Sequence, residues 1–415
     1  MTRIIFLNRF FHPDHSATSQ ILSDLAFHLA GRGREVHVVT SRQRYDAPDA
    51  GLPERETSRG VEVHRVGTTR FGRAALLGRG FDYLSFYAAM RRAVLAVARP
   101  GDILVAKTDP PLLCLPAMYA ASRRALRLVN WMQDLYPEVA AELGVPLTHG
   151  LLGRWLARWR DAALRVASAN VVVGARMADR VAARGIASER IHVIPNWCDD
   201  EVIRPVAAAD NPLRREWGLG DRFVVGYSGN LGRAHDFSTL LAAAERLRND
   251  ERIVFLFVGG GHKFDELARS VAARGLERSF RFKPYQEQAV LKFSLGVPDI
   301  HWISLNPELE GLIFPSKFYG IAAAGRPLIA IAAPDGEIAR LVREHECGFV
   351  VAPGDAPALA ALLAALAADR GALAGMGARA RAMLEAQFTR RQALEKWCRV
   401  LDAVGDSPRA ITSSR

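Results

Sequence analysis

The feature that most constrains this chain is a regular alternation of short apolar, β-rich segments with helical patterns from end to end. The segments are apolar on both faces, as in "DILVAK" at 102–107 and "IVFLFVG" at 253–259. Strands of this kind, separated by helices, form parallel sheets that are covered on both sides. The predicted strands span residues 3–8, 35–40, 61–66, 102–107, 126–132, 170–174, 191–196, 223–229, 253–259, 280–285, 299–305, 327–332 and 348–353. The sequence therefore predicts an α/β protein.

The alternation begins twice, on either side of a polar, alanine-rich stretch at 204–222 that we interpret as a linker. A chain of 415 residues also exceeds one ordinary core. We predict two doubly wound, Rossmann-like domains that face a cleft, at 1–198 and 199–388. A helix at 389–404 and a disordered tail at 405–415 follow. In such sheets ligands bind beyond the carboxyl ends of the strands.

The net charge of +11 is concentrated in the first half of the chain. Residues 1–198 hold 27 Lys and Arg against 17 Asp and Glu, and residues 199–415 hold 28 against 27. We expect the first half to meet an anionic partner, such as a membrane surface, a phosphorylated lipid or nucleic acid. A basic surface that serves only solubility is the alternative.

The four cysteines are scattered without C-x-x-C spacing, which favours a reduced cytosolic chain without structural zinc. The opening "MTRIIFLNRFF" is typical of a strand rather than a signal peptide. The longest apolar stretch is too short and too rich in proline to span a bilayer. We therefore expect a chain that does not cross a membrane.

Three strand ends in the second half carry groups suited to a phosphorylated ligand. "SGNLGRAHD" and "GGGHKFDEL" offer glycines for close backbone approach to an anion, and Arg233 adds a positive charge. A tight turn with solvated side chains is the alternative for each. In "NPELEGLIFPSK" Lys317 opens a helix, and Glu308 and Glu310 precede it on a loop. Carboxylates beside a cation suit a ligand that has both sugar hydroxyls and phosphates.

The strand ends of the first half carry hydroxyls and carboxylates. Ser16 and Thr18 precede a predicted long helix and could face a diphosphate. Asp109, Asp134 and Glu138 follow two further strands, and we place them in one wall of the cleft. Asp134 could equally be a helix N-cap, the commoner role of an aspartate before a helix.

Three motifs are absent from the sequence, and their absence narrows the chemistry. No G-x-G-x-x-G follows the first strand, no G-x-x-x-x-G-K-[ST] loop occurs, and no Asp-x-Asp occurs. Dinucleotide binding, a P-loop ATPase and a metal-chelating diphosphate site of that kind are therefore unsupported. We expect no cofactor and no metal, because Lys, Arg and helix N-termini would meet the charge of a leaving diphosphate.

An ordered set of motifs resembles the family-4 retaining glycosyltransferases of the GT-B fold. The set comprises "VIPNWCD", "GYSGNLGRAHDFSTLLAAA", "FVGGG", "PDIHWISLNPELEGLIFPSKFYGIAAAGRPLIA" and "GEIARLVREHECGFVVAPGDAPALAALL". The resemblance spans nearly the whole chain. Within the family, the chain is most similar to WbuB-like, colanic-acid-type sugar transferases. The resemblance implies a nucleotide-sugar donor in the second half, an acceptor in the first, and retention of anomeric configuration without an obligatory metal. It also implies that helix 389–404 crosses back to the first domain.

The resemblance assigns roles unevenly, because the chain departs from the family pattern. Gly229-Asn230 and His235 stand where many members have Gly-Arg and Lys, so Arg233 and Lys317 are the expected replacement cations. Gly320 replaces the second glutamate of the family motif, and Glu310 or Glu308 represents the first. Gln133 or Asp134 matches a position where many relatives have a histidine. The expected catalytic residues are Asp134, Glu310 and Lys317. The expected donor-binding residues are Ser16, Gly229, Asn230, Arg233, Gly260, Tyr285, Glu308, Gly311, Leu312 and Ser316. The expected acceptor-side residues are Asp109 and Glu138.

Two segments mix arginines with aromatic residues, at 69–99 and 151–167. Basic, aromatic amphipathic helices lie on anionic bilayers, so we expect Arg154, Trp155, Arg158 and Trp159 to contact a membrane. An ordinary core-packing helix is the alternative for 151–167. Together with the basic first half, the expected membrane contact favours a protein on the inner face of the cytoplasmic membrane that acts on a polyprenyl-diphosphate-linked glycan.

The function predicted from the sequence is transfer of a sugar, from a UDP-sugar by preference, in cell-surface polysaccharide biosynthesis. One rival is a nucleotide-sugar epimerase of the same fold, which needs no acceptor and no basic membrane face. Another is a nucleic-acid-binding protein that uses the basic half. The chain lacks its usual motifs, so we expect no nucleic-acid partner.

Overall fold

The computed structural model describes residues 2–47, 49–71 and 76–406. It divides into two compact units. Unit 1 runs to Pro195 and takes in the chain again from Ala393, and unit 2 is Asn196–Gln392. The predicted division fell at 198/199. Of the predicted tail, residues 405 and 406 end a helix, and 407–415 lie outside the described residues.

Unit 1 is built on an eight-stranded sheet in the order β3-β4-β2-β1-β5-β6-β7-β8. Its strands are β1 (Ile4–Leu7), β2 (Val36–Ser41), β3 (Arg55–Ser58), β4 (Val61–Val66), β5 (Ile103–Lys107), β6 (Arg127–Met132), β7 (Ala169–Val172) and β8 (Ile191–Val193). All neighbouring strands are parallel except the edge pair β3 and β4. Sequence analysis missed β3, because "RETS" is polar and lies half-exposed at the sheet edge.

Seven helices belong to unit 1 and connect or cover these strands. They are α1 (Ala17–Gly31), α2 (Leu76–Val97), α3 (Cys114–Arg124), α4 (Glu138–Glu142), α5 (Gly150–Val166), α6 (Ala175–Ala182) and, at the end of the described chain, α15 (Arg390–Asp406). One side of α15 is buried, and its Trp397 packs against Trp131 of β6 with ring centroids 4.5 Å apart. The predicted return of the last helix to the first domain is confirmed.

Unit 2 has a six-stranded, fully parallel sheet in the order β11-β10-β9-β12-β13-β14. Its strands are β9 (Phe223–Asn230), β10 (Ile253–Gly260), β11 (Phe280–Lys283), β12 (Ile300–Ser304), β13 (Leu328–Ile331) and β14 (Gly348–Val351). Its helices are α7 (Pro212–Glu216), α8 (Ser238–Arg246), α9 (Phe264–Ala273), α10 (Leu291–Gly296), α11 (Lys317–Ala323), α12 (Glu337–Glu344), α13 (Ala356–Ala368) and α14 (Gly371–Gln387).

The predicted linker at 204–222 is wrong, because this segment is folded into unit 2. It contains α7, where Asn211 caps the first turn by accepting from the Leu213 N–H at 3.1 Å. Leu213 and Trp217 are buried in a cluster with the strands β9 and β10. Arg214 is paired with Asp299. The composition misled the interpretation, because the buried Leu213, Trp217 and Leu219 are outnumbered by exposed alanines and polar residues.

No single helix in the described part of the chain is long and apolar enough to be a candidate membrane span. Only α13 taken together with residues 371–406 passes on length and composition, and that pair is bent by 106°. On α13, Leu359, Leu363 and Leu366 belong to the buried core of unit 2.

Each sheet reverses its strand order once. In unit 1 the reversal lies between β1 and β5, and in unit 2 it lies between β9 and β12. At such a point the loops that leave the carboxyl ends of two neighbouring strands diverge and open a crevice for ligands. The predicted two-domain parallel α/β architecture is thus confirmed, and it directs attention to these two strand pairs.

Candidate functional site

In unit 2, two glycine-rich turns at the ends of β9 and β10 pack against each other. Gly229, Gly259 and Gly261 have φ angles of +122°, +138° and +124°, a region that favours glycine. A Cβ on Gly259 would lie 2.3 Å from the Gly229 carbonyl oxygen, and one on Gly261 would lie 2.1 Å from the Asn230 side chain. Glycine is therefore required for these turns to approach each other. Asn230 and Gly261 are exposed, so the backbone at these two residues can come close to a ligand.

Lys317, the first residue of α11, lies against the first of these turns. Its Nζ is 3.0 Å from Nε2 of His235 and 5.3 Å from the centre of the Tyr227 ring. A Cβ on Gly229 would lie 3.0 Å from Lys317 Cε. Ser316 is the N-cap of α11, with no side-chain capping bond. The lysine predicted from the sequence is thus placed beside the glycine turn by contacts that other segments supply.

His235 is buried and holds Lys317 in a defined way. Its Nδ1 is 2.7 Å from the Ser304 carbonyl oxygen, which can only accept, so Nδ1 carries the hydrogen and Nε2 accepts from Lys317. Burial, with the charges of Lys317 and Lys263, lowers the pKa of His235 to about 3. The imidazole is neutral at physiological pH. Lys263 Nζ donates to the His235 carbonyl oxygen at 3.0 Å, so two lysines contact one histidine.

Cations at this edge of unit 2 have no acidic partners. Among the described residues, no carboxylate lies within ion-pairing distance of Lys317, Lys263 or the exposed Arg233. Burial lowers the pKa of Lys317 to about 8, because the ammonium is partly removed from water. Unpaired positive charges beside an open backbone turn favour binding of an anion.

Tyr285 lies beside the second glycine turn. Its ring would be 3.1 Å from a Cβ on Gly260, and the residue is 60% exposed. Gly260 therefore leaves room for an exposed aromatic face at the edge of the cation site. Such a face can stack on another planar ring. The structure thus brings the predicted donor residues Gly229, Asn230, Gly260 and Tyr285 to adjoining turns.

The loop before α11 places its two glutamates differently. Glu308 is exposed on a 3-10 turn at Pro307–Leu309. Glu310 Oε1 accepts from the Glu337 N–H at 2.7 Å, so this carboxylate caps the first turn of α12. Gly311 and Leu312 are buried, and Leu312 is only 1% exposed, so its side chain faces the protein interior. The Glu310 contact could not be predicted from the sequence, because it joins residues 27 positions apart.

In unit 1, Lys107 ends β5 and is almost completely buried. Its Nζ donates to the Thr18 carbonyl oxygen at 2.8 Å and lies 4.1 Å from the centre of the Trp131 ring. Burial lowers the pKa of Lys107 to about 7, against the opposing charges of Asp109 and Asp134. A buried lysine between two carboxylates sets the electrostatics of this strand end.

Asp134 follows β6 and is half-buried. Burial, and after it the charge of Asp109, raises the pKa of Asp134 to about 7, against the opposing charge of Lys107. The helix that follows begins at Glu138 with Pro137 as its N-cap residue, so the alternative role of Asp134 as a cap is wrong. A carboxyl group that titrates near neutral pH can accept or donate a proton.

Lys107, Asn130 and Asp134 line a cavity of about 20 Å³. That volume is enough for one water molecule. Asn130 Nδ2 donates to Asn170 Oδ1 at 2.9 Å, whereas the buried Asn130 Oδ1 has no partner. The cavity thus offers an acceptor to a small polar occupant.

The hydroxyl groups near the start of α1 serve local contacts. Ser16 is the N-cap residue, but its Oγ donates to Asp14 Oδ1 at 2.5 Å and makes no capping bond. Thr18 lies within the first turn of α1 rather than before it, and its Oγ1 donates to Asp109 Oδ2 at 3.3 Å. Ser16 is therefore the predicted donor residue that belongs to unit 1.

We expected Glu138 on the acceptor side, as one of the carboxylates at the strand ends. In the structure its carboxylate belongs to an ion-pair network. It accepts two hydrogen bonds from Arg160, at 2.8 and 3.0 Å, and is paired with Arg184. Arg160 is 2% exposed and also bonds Asp161 at 2.7 Å. Burial would raise the pKa of Glu138, but the bond and charge of Arg160 outweigh it and hold the pKa below its usual range. The network fastens α4 to α5.

The helix α5 has one buried and one exposed face. Gly153, Arg160, Ala163 and Leu164 are buried, so Arg160 does not belong to the exposed face of the helix. The four predicted membrane residues are exposed, with Trp155 at 53% and Trp159 at 47%, and the two indole rings are 5.8 Å apart. Leu151 and Leu152 extend this exposed apolar face.

Comparison with known proteins connects these features. Residues 17–197 match the family described as "Glycosyl transferase 4-like domain", and residues 210–383 match "Glycosyl transferases group 1". The chain belongs to the glycosyltransferases, with one domain that matches each of these two families. This glycosyltransferase is 27% identical to the probable glycosyltransferase WbjE of Pseudomonas aeruginosa over 336 residues, 79% of this chain and 81% of that protein. It is also 27% identical to the putative colanic acid biosynthesis glycosyl transferase WcaI of Escherichia coli K12 over 344 residues, 80% and 83% of the two chains.

Among solved structures, HepE of Anabaena in complex with UDP has the same fold. Its TM-score is 0.72 at 18% identity, and the match covers 97% of this chain and 100% of that one. The expected fold class and family resemblance are confirmed. In the described part of the glycosyltransferase, no three His, Cys, Asp or Glu side chains are grouped so that they could hold a metal ion.

Sequence reasoning left three groups of this glycosyltransferase outside its assigned site residues: His235, which contacts Lys317, Lys263, which contacts His235, and the buried Lys107. His235 was noted only as a departure from the family pattern. A signal for Lys263 existed in its position at the start of a helix, two residues after three consecutive glycines. Lys107 ends an apolar strand, where a lysine is unusual unless it faces a polar site.

Proposed function

We propose that this glycosyltransferase moves a sugar from a nucleotide-diphosphate donor, a UDP-sugar by preference, to a polyprenyl-diphosphate-linked glycan, with retention of anomeric configuration and without a metal. The role is the assembly of a cell-surface polysaccharide. The observation that carries the donor half of the proposal is the set of unpaired cations beside the glycine turns of unit 2. A diphosphate is the ligand whose charge these groups match.

The preference for uridine rests on structural neighbours. HepE of Anabaena was solved with UDP, with UDP and glucose, and with UDP-glucose. The exposed ring of Tyr285 supplies a face on which a planar base could stack. A polysaccharide product is supported by the relative named for colanic acid biosynthesis.

In the proposed reaction the glycosidic bond to the leaving diphosphate breaks while the acceptor hydroxyl attacks the anomeric carbon from the same face. Lys317, Arg233 and backbone N–H groups of the turn at residues 229–232 stabilise the growing charge on the diphosphate, except the N–H of Leu231, which donates to the Gly260 carbonyl oxygen at 2.7 Å. The departing phosphate oxygen takes the acceptor's proton. Glu308 orients sugar hydroxyls, whereas Glu310 Oε1 already accepts from the Glu337 N–H.

On the acceptor side, Asp134 is the group we assign to the attacking hydroxyl. Its raised pKa lets it hold that hydroxyl as an acceptor above about pH 7. Membrane attachment through α5 would keep a lipid-linked acceptor at hand. The exposed Trp155, Trp159, Arg154 and Arg158 support this attachment, since tryptophans and arginines on one helix face favour anionic bilayer surfaces.

The test of the donor is a thermal-shift titration of the full chain with UDP-, GDP- and dTDP-sugars and the free nucleotides, with and without EDTA. A ligand that binds the native state raises the melting temperature by mass action. We expect uridine nucleotides to give the largest shift, unchanged by EDTA. No shift with any nucleotide would contradict the proposal.

The test of the reaction is to incubate the enzyme and the shifting donor with a polyprenyl-diphosphate-linked sugar, and to determine the product's anomeric configuration by NMR. We expect a lipid-linked product with the donor's configuration. Release of a free epimerised nucleotide-sugar without acceptor would favour an epimerase instead. An inverted product would contradict the same-face mechanism.

A further inference from the structure

Arg9 lies at the end of β1, beside the reversal of strand order in unit 1. Its backbone is fixed on both sides. The Arg9 carbonyl oxygen accepts from Ser41 N at 3.0 Å, Ser41 Oγ at 2.7 Å and Thr40 Oγ1 at 2.9 Å. The Arg9 N–H donates to the Asp109 carbonyl oxygen at 2.7 Å. The side chain therefore starts from a rigid point next to β5.

The guanidinium group of Arg9 is held between two aromatic rings. Its central carbon lies 5.3 Å from the ring centres of both Phe10 and Tyr83. One terminal nitrogen donates to Gln43 Oε1 at 3.1 Å. The residue is only 7% exposed, so its position is set by packing rather than by solvent. Stacking on rings leaves the edge of the guanidinium, with its N–H groups, available to an acceptor.

This buried cation lacks a counter-ion. Its Nε is buried without a hydrogen-bond partner, and no carboxylate among the described residues lies within ion-pairing distance of Arg9. Burying an unpaired charge is costly, and buried arginines are therefore normally matched by an anion. The neighbouring Asp109 carboxylate accepts instead from Thr18, and its charge acts on Lys107. A planar, pre-oriented guanidinium of this kind matches the oxygens of a phosphate group.

An exposed apolar surface adjoins Arg9 through Tyr83. Tyr83 lies on α2 between Phe81 and Leu84, which are 59% and 63% exposed. Phe71 is 67% exposed, and its ring centre is 6.0 Å from that of Phe81. Large apolar side chains grouped on a surface mark a site for an apolar partner. A buried cation next to such a patch fits a molecule that joins a phosphate to a hydrocarbon chain.

We propose that Arg9 binds a phosphate of the lipid-diphosphate acceptor, and that Phe81 and Leu84 contact the start of its isoprenoid chain. This inference deepens the proposed function and rests on it for the identity of the acceptor. The residues of this site all belong to unit 1, whereas Lys317, Lys263 and Arg233 belong to unit 2, so substitutions can address each site by itself.

The test is calorimetric titration of the full chain with farnesyl diphosphate, farnesol and inorganic diphosphate, all with saturating UDP so that the cations of unit 2 are occupied. The variants are Arg9→Gln, Arg9→Lys and, as a matched control, Arg55→Gln on the exposed edge strand β3. Melting temperature and UDP affinity report folding. Leu84→Ser, an exposed position, provides a variant that leaves the core intact if Arg9→Gln does not fold.

We expect farnesyl diphosphate to bind wild type at least about tenfold more tightly than either farnesol or inorganic diphosphate. Arg9→Gln should weaken that binding by about 10- to 100-fold, the loss of a charge-assisted hydrogen bond. Arg9→Lys should fall between, and Arg55→Gln should match wild type. Leu84→Ser should weaken the binding of farnesyl diphosphate and leave the affinity for inorganic diphosphate unchanged.

Unchanged affinity for farnesyl diphosphate in folded Arg9→Gln, or an unchanged affinity in Leu84→Ser, would overturn the inference. Equal affinity of wild type for inorganic and farnesyl diphosphate would overturn its lipid part. If UDP binds normally while Arg9→Gln has no effect, the inference alone fails. If UDP does not bind while the Arg9 effect is present, the proposed donor site fails and the Arg9 site is upheld.

Discussion

The two strand-order reversals of this glycosyltransferase carry polar sites of opposite character. In unit 2, Lys317, Lys263 and Arg233 lie half-buried or exposed beside glycine turns, without a carboxylate at ion-pairing distance among the described residues. In unit 1, Lys107 is buried between the charges of Asp109 and Asp134. The site in unit 2 is open, and its charged side chains are all positive. The site in unit 1 is enclosed and holds charges of both signs.

This difference indicates what each site can do. An open cation site is completed by a ligand that brings its own negative charge, as a nucleotide diphosphate does. An enclosed site with both signs holds a carboxyl group near its titration point, as the raised pKa of Asp134 illustrates. The two tasks that we propose, binding a charged donor and activating an acceptor hydroxyl, correspond to these two electrostatic environments.

The substitution that most directly breaks this division is Lys317→Met. We expect kcat/KM for the UDP-sugar to fall by about 10²- to 10³-fold, because the variant lacks the positive charge that stabilises the leaving diphosphate. Steady-state kinetics at constant ionic strength measure it, with Lys292→Met on α10 as the control. A loss that is the same in the control would show that only net charge matters.

Asp134→Asn tests the enclosed site. We expect kcat to fall by about 10²-fold with the Kd for UDP unchanged, since the change removes a group on the acceptor side and leaves unit 2 intact. Single-turnover rates and UDP titration separate the two quantities. Weaker UDP binding in this variant would contradict the separation of tasks.

His235→Leu sharpens the account of how Lys317 is positioned. Loss of the Nε2 acceptor frees the ammonium, so we expect the Kd for UDP to rise about tenfold while uridine binds as before. His235→Gln, which keeps a polar partner, should restore part of the affinity. Equal effects of both variants on uridine would indicate general disruption of the turn.

The smallest expected effect is on pH dependence. The ammonium of Lys317 is lost as pH rises through its pKa of about 8, so UDP affinity should fall about fourfold from pH 7 to 8.5. Lys317→Arg, which stays protonated, should have a flat profile over this range. Calorimetry at several pH values compares the two, and identical profiles would refute the assignment of the titrating group.

Much of the fold follows from sequence because it depends on local periodicity. Apolar strands such as β5 and β10 can be recognised from five to eight consecutive residues. Thirteen predicted strands correspond to strands of the structure. The polar edge strand β3 and the short helix α7 could not be predicted in this way. Their formation depends on pairing and burial supplied by distant residues, such as Asp299 for Arg214.

The candidate site was predictable only in part, for the same physical reason. Lys317 and the glycine turns lie at strand ends that the sequence places on one edge. The contacts that decide function join residues far apart: Lys317 and His235 are 82 positions apart, and Arg160 and Glu138 are 22 apart. Periodicity indicates which face a residue takes, but not its partner. It therefore could not distinguish Glu138, which is held in an ion-pair network, from the titrating Asp134.

The central claim, that unit 2 binds a nucleotide through its diphosphate with lysine rather than metal, has a direct test. It is calorimetric titration of UDP and of uridine into wild type and Lys317→Met, each with and without EDTA. The account predicts that wild type binds UDP at least about 100-fold more tightly than uridine, that EDTA has no effect, and that Lys317→Met loses most of the difference. Equal affinities for UDP and uridine, a difference abolished by EDTA, or one that survives in Lys317→Met would contradict it.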